Sequence, residues 1–187
     1  MKDLRDSERD LHFIALIPHD GLREEIREIK ERMRYEYGAS HALRSPAHIT
    51  LQMPFRRNSS DEASISEALG RFALQEHPFT IDLDGYGSFP PRVIYIRVSN
   101  PGPVKALQSR LRELLIDALG FEQHEVTKEL QPHITIATRD LTKTAFTEAW
   151  PVMKEEVFKG GFRAEGIFLL RHNGRSWDIL KEFQFGE

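Results

Sequence analysis

His48-Ile49-Thr50-Leu51 and His133-Ile134-Thr135-Ile136 share one pattern, an imidazole and a hydroxyl two positions apart with an isoleucine between them. Eight histidines and eight threonines in 187 residues would produce about 0.3 His-x-Thr pairs by chance, so two call for a chemical reading. In an extended chain, residues i and i+2 share one face and i+1 takes the other. Each motif would then present an imidazole beside a hydroxyl while its isoleucine enters the core. Pro46 and Pro132 stand just before the two histidines and would set where each strand begins. Two imidazoles across a cleft suit an in-line displacement at phosphorus. A neutral ring takes the proton of the attacking hydroxyl, and a protonated ring supplies one to the leaving oxygen. That scheme needs neither metal nor cofactor. Thr50 and Thr135 are then the candidate clamps for the non-bridging phosphate oxygens.

The elements that must hold these groups are legible in the apolar periodicity. His12–Ile17 reads as a buried strand ended by Pro18. From Leu22, the residues Ile26, Ile29, Met33 and Tyr37 recur at helical spacing, and Gly38 supplies the stop. Ile49–Met53 is strand-prone as far as Pro54. Ser59, Ser60 and Asp61 offer caps for a helix with an apolar face of Ile65, Ala68, Leu69 and Phe72. A strand at Phe79–Leu83 and a turn-rich hinge at Gly85–Pro91 close the first half. The second half repeats the order. It has a strand at Val93–Val98, a helix from Val104 through Leu107, Leu111, Leu114, Leu115 and Ala118 to Gly120, and a strand at Ile134–Ala137. A helix near Thr142–Glu156, which Pro151 should kink, precedes strands at Gly166–Arg171 and Trp177–Phe183.

Matching landmarks are offset by roughly 80 to 85 residues, the spacing expected of an internal duplication. The expected fold is α+β: one domain over residues 1–187, with pseudo-symmetric lobes from sequence halves of about 11–84 and 92–183. Each lobe would carry an antiparallel-rich sheet with flanking helices, and the two would face one another across a central cleft.

Composition narrows the function. A chain of this length buries a core without staples, and the absence of cysteine removes disulfide scaffolds, thiolate metal sites and cysteine nucleophiles. The longest apolar runs are too short to cross a bilayer, so a cytoplasmic protein without membrane partners is expected. A net charge of -3 argues against coating long duplex nucleic acid, but leaves a nucleotide or nucleic-acid end as substrate. His-Glu-x-x-His, Walker and Gly-x-Ser-x-Gly patterns are absent, and no third ligand stands near either motif to complete a zinc site. Arg56, Arg57, Arg92, Arg139, Arg171 and Arg175 fall near strand ends and are secondary phosphate-binding candidates. Tyr86, Phe89, Tyr95 and Trp177 are candidates for stacking a base. His12 would begin the first strand and could face the cleft, whereas His41, His77, His124 and His172 read as loop residues.

With both His-x-Thr motifs in equivalent places, the chain resembles the 2H phosphoesterase superfamily, which includes the bacterial RNA 2′,3′-cyclic phosphodiesterases also called 2′-5′ RNA ligases. The resemblance implies a bilobal duplicated fold with His48, Thr50, His133 and Thr135 as its active site. It also implies a cyclic or 2′-linked phosphate ester of a nucleotide or RNA end as the substrate. Phe55 is the candidate for an aromatic residue that often follows the first motif. An arginine that commonly stands three places after the second threonine finds Thr138 here, with Arg139 one position later. A non-catalytic nucleotide or RNA-binding module of the same fold is the alternative expectation.

Overall fold

The computed structural model describes residues 9–187; most of the charged stretch Met1–Asp10 lies outside the described residues. Eight strands and four helices succeed one another among the described residues. They are β1 (Arg9–Leu16), α1 (Asp20–Tyr37), β2 (Ile49–Asn58), α2 (Glu62–Ala73), β3 (Phe79–Phe89), β4 (Val93–Val98), α3 (Pro101–Asp117), β5 (His133–Ala137), α4 (Lys143–Met153), β6 (Lys159–Ala164), β7 (Gly166–His172) and β8 (Trp177–Gln184). Every pairing is antiparallel, in the order β6-β3-β4-β5-β2-β1-β7-β8. No helix among the described residues is long and apolar enough to cross a membrane.

The fold is α+β with antiparallel pairing and flanking helices, as expected. What would have been two sheets are joined as one, because β2 and β5 meet through a single residue pair, Ile49 opposite Ile134. Each half of that sheet draws on both halves of the sequence: β3 pairs with β4 on one side and β6 on the other, while β7 pairs with β1 and carries β8 with it.

Local chemistry explains the helices. The His19 ring accepts from the Leu22 N–H at the start of α1, and Gly38, at φ 71°, closes it in the left-handed conformation that glycine takes without a Cβ penalty. Its stripe of Leu22, Ile26 and Met33 is buried. α1 packs against β5 and α3 against β2, on the face to which Ile49 and Ile134 project with no exposure. A smaller apolar cluster of Phe13, Ala15, Ile17 and Leu170 is separate from the main core, with Trp177 packed against it.

Three strands depart from expectation. β2 runs through Pro54 because the β1–β2 register slips between His12 and Ile14, leaving a bulge where proline's missing N–H breaks no ladder bond. β3 absorbs most of the hinge. Gly85, at φ 65°, sits in an irregularity between Leu83 and Tyr86, after which pairing with β4 resumes to Phe89, and the turn itself holds a cis Pro90-Pro91 bond. β6 lies outside the expected elements, since Lys159-Gly160-Gly161 has little strand propensity. Its register on β3 nonetheless brings Gly161 so near that a Cβ would lie 2.8 Å from the Ile81 carbonyl oxygen. Pro151 lies in the last turns of α4, which ends at Met153.

Gly87 has a comparable role close to the second motif. A Cβ there would lie 2.5 Å from the Tyr95 ring, and that ring packs on His133 with centroids 4.8 Å apart. Gly87→Ala should therefore cost about 1–3 kcal/mol through overpacking. It should be seen as a lower Tm together with a shifted His133 imidazole resonance, and an unchanged Tm would show that Tyr95 has room to move.

Candidate active site

The single β2–β5 pair organises the site. Continuing its antiparallel register by one residue in each direction sets His48 across from Thr135, and Thr50 across from His133. The four side chains thus belong to the face opposite the buried isoleucines, and all four are partly exposed. His48, Thr50 and Thr135 line one cleft of about 260 Å³, together with Arg44, Arg139 and Trp177.

Both imidazoles are held in the same way. His48 Nδ1 lies 2.8 Å from the Pro46 carbonyl oxygen, and His133 Nδ1 lies 2.6 Å from that of Gln131. A carbonyl can only accept, so Nδ1 carries the proton and the neutral ring keeps its lone pair on Nε2. Each ring also leans on an aromatic side chain from the adjacent strand. His48 packs on Phe13 at 4.8 Å, with Trp177 against Phe13 at 4.6 Å; His133 packs on Tyr95 at 4.8 Å, with Phe89 against Tyr95 at 4.7 Å. The Tyr95 hydroxyl accepts from Gln131 Nε2, tying that wall to the residue that orients His133.

Burial pushes His48 down to about 4, against the opposing pull of the Pro46 carbonyl, and the positive charges of Lys30 and His133 add to the depression. Burial also lowers His133, which the Gln131 carbonyl partly offsets. The effect of His133 on His48 sets the two rings within electrostatic reach of each other.

Other expected residues are scattered. Phe55 is buried in the core between His12 and Phe121, away from the cleft, whose wall is taken by Met53 and Pro54 instead. β2 is bulged there, so counting along the motif misplaces the aromatic ring. Arg139 does line the cleft. Strand alternation would turn it away, but β5 ends at Ala137 and Arg139 adopts a left-handed φ of 50°. Arg57 pairs with Glu125 and Arg171 with Glu62. His12 is buried, 3.5 Å from Glu62. Asp10, His12 and Glu62 bring metal-type donor atoms within 4.8 Å of one another, but the Arg171 guanidinium already supplies a counter-charge at 3.1 Å from Glu62 and 4.0 Å from Asp10.

Periodicity offers no sign of Arg44, which ends a 3-10 turn at His41–Arg44. Lys30 has one. It falls on the apolar stripe of α1 between Ile26 and Met33, and there it is buried with its ammonium donating to the Ala42 and Ser45 carbonyls at 3.0 and 3.1 Å. Burial lowers it to about 8.

The sequence profile of the 2′-5′ RNA ligase superfamily matches residues 18–176. A Bacillus cytotoxicus protein named as a candidate phosphoesterase is 28% identical over 161 residues, covering 83% of this chain and 87% of that protein. Among solved structures, the Thermus thermophilus protein TT0787 aligns with a TM-score of 0.67 at 24% identity, over 95% of this chain and 99% of that one. E. coli LigT, solved in complex with 3′-AMP, aligns with a TM-score of 0.68 at 20% identity, over 96% and 100%.

The depressed histidines also set the acid stability. A group whose folded pKa lies below its unfolded value binds protons preferentially in the unfolded chain, so stability rises with pH across that window. For His48 the window runs from about 4 up to the unfolded value of about 6.5. Stability should fall as pH drops from about 6.5 to about 4, and His48→Gln should flatten that slope in denaturant titrations at several pH values. An equally steep slope in the variant would refute the assignment.

Proposed function

Because this chain belongs to the 2′-5′ RNA ligase superfamily, we propose that it is a metal-independent phosphodiesterase acting on a cyclic or 2′-linked phosphate ester of a nucleotide or RNA end. The observation that carries the reading is the paired arrangement of His48 and His133, each with Nδ1 on the carbonyl two residues before it, which leaves Nε2 as the nitrogen able to exchange a proton. The same reading treats residues 1–187 as one domain whose halves, about 11–84 and 92–183, arose by duplication. The matched imidazole-on-aromatic contacts in the two halves support it.

The depression of His48 to about 4 supports one division of roles. A base must be neutral and an acid protonated, so His48 is the base and His133 the acid. Water attacks phosphorus and a new P–O bond forms while its proton passes to His48 Nε2. The ester P–O bond breaks on the far side, and its oxygen receives the proton of His133 Nε2. Thr50 and Thr135 donate their hydroxyls to the non-bridging oxygens, where charge builds in the transition state. The phosphate's own negative charge favours the protonated ring once substrate is bound. The nucleotide character of the substrate rests on the family and on LigT, a protein of the same fold that was solved with 3′-AMP.

His48→Ala and His133→Ala should each lower kcat/KM on a nucleoside 2′,3′-cyclic phosphate by about 10² or more, with the double variant scarcely worse than either single one. Thr50→Ala and Thr135→Ala should cost less, about 1.5–3 kcal/mol each. Turnover should persist in EDTA; binding of the nucleotide with no turnover of any cyclic or 2′-5′-linked ester would identify a binding module instead.

The pH dependence follows from the two rings. In the free protein, activity needs His48 neutral and His133 protonated, so kcat/KM should rise with pH through a limb near 4 and fall through a second limb that lies below the ordinary histidine value. The limbs of kcat should lie at higher pH, because bound phosphate favours both imidazolium forms. A kcat/KM profile that keeps rising beyond neutrality would contradict this assignment of acid and base.

A further inference from the structure

The cleft lined by His48, Thr50 and Thr135 also has a cationic end that the motif residues do not use. Arg44 closes the 3-10 turn on one side, and Arg139 follows β5 on the other; both are exposed and both line the cleft. Among the described residues neither guanidinium is in an ion pair, and no aspartate or glutamate lines the cleft. After burial, the charges of Arg139 and Arg44 are the main influences lowering His41, so all three groups lie within electrostatic reach of one another. Cations gathered this way repel unless an anion joins them.

A carboxylate outside the cleft holds the arrangement. Asp140 Oδ2 accepts from the Ser40 N–H at 2.9 Å, the Ser40 hydroxyl at 2.9 Å and the His41 N–H at 2.8 Å, bridging segments 100 residues apart. It fastens the start of the turn that carries Arg44 to the loop that carries Arg139. With three donors on one oxygen, Asp140 is engaged by its own loops.

We propose that this end of the cleft is a second phosphate site, in which Arg44 and Arg139 bind a phosphoryl group other than the one being hydrolysed and Asp140 is the positioning residue for both. Guanidinium forks match phosphate oxygens in pairs. The ligand class is therefore a nucleotide ester bearing two phosphates. The second is either a chain phosphate of an oligonucleotide or the terminal phosphate of a mononucleotide, and the site's chemistry is the same for both. Arg44 also borders a neighbouring groove of about 620 Å³, but there Arg23 and Arg27 are already paired with Asp20 and Glu24, so the second phosphate is assigned to the cleft itself.

The turnover arm of the test rests on the phosphodiesterase reading, and the binding arm does not. For turnover, kcat/KM is compared for adenosine 2′,3′-cyclic phosphate, its 5′-phosphorylated form, and a short 5′-hydroxyl oligoribonucleotide ending in a 2′,3′-cyclic phosphate. At least one of the two phosphate-bearing substrates should exceed the plain one by about tenfold, and which one identifies the source. That ratio should shrink toward one in Arg44→Ala, Arg139→Ala and Asp140→Ala, and recover in Asp140→Asn, whose amide oxygen can still accept, with thermal melts confirming folded variants. For binding, calorimetry compares adenosine 3′-phosphate with adenosine 3′,5′-bisphosphate. The bisphosphate should bind about tenfold tighter, an advantage lost in the Arg44→Ala/Arg139→Ala double variant. Equal affinity for the two, or an advantage that survives the double variant, overturns the second site. Absence of all turnover with the bisphosphate preference intact would sink the phosphodiesterase reading and leave this site standing.

Discussion

One pair of residues, Ile49 across from Ile134, decides the rest of this structure. It is the only register pair between β2 and β5 among the described residues, and it converts two half-sheets into one. Because side chains alternate along a strand, burying both isoleucines on the helical side forces His48, Thr50, His133 and Thr135 to the other side. A slip of one residue would exchange the two sets and leave imidazoles in the core. The site's existence and the packing of α1 and α3 are thus the same constraint seen from opposite faces.

The two imidazoles then face opposing demands. Phe13 and Tyr95 pack against them; yet burial disfavours the imidazolium that the proposed acid catalysis would use. The carbonyls of Pro46 and Gln131 act against that cost by accepting from Nδ1, and they also fix which nitrogen carries the proton in the neutral ring. A proline belongs to each of these segments, Pro46 as the acceptor itself and Pro132 directly after Gln131. The tautomer is therefore set by the residues immediately preceding each strand.

The cleft rim has little regular structure and is held by charged groups whose hydrogen bonds are made inside the protein. Lys30 reaches from α1 to two carbonyls of the 41–45 segment, and Asp140 gathers three donors from its beginning. Buried or partly buried polar groups are costly when unpaired, so each of these contacts has a defined geometry. The rim segments are thereby tied to α1 and to one another.

The helices α1 and α3, the motif strands and the order of the elements other than β6 were legible in the chain itself, because period, caps and glycine stops act over a few residues. The shared face of His48 and Thr50, and of His133 and Thr135, was legible for the same reason: alternation within a strand needs no knowledge of the partner. Lys30 could have been read from its place on an apolar stripe. Other features depended on distant contacts. β6 exists because β3 offers an edge that a Gly-Gly segment can approach; Phe55 enters the core because β2 bulges at Pro54; Arg139 reaches the cleft because β5 ends two residues earlier. Arg44 gains its place only when Asp140, far along the chain, fastens the turn before it. Sequence alone determined which residues could share a face, since that is a property of local backbone geometry. Which faces meet, and which loops converge on them, was decided by tertiary structure, because pairing and burial depend on partners that local periodicity does not encode.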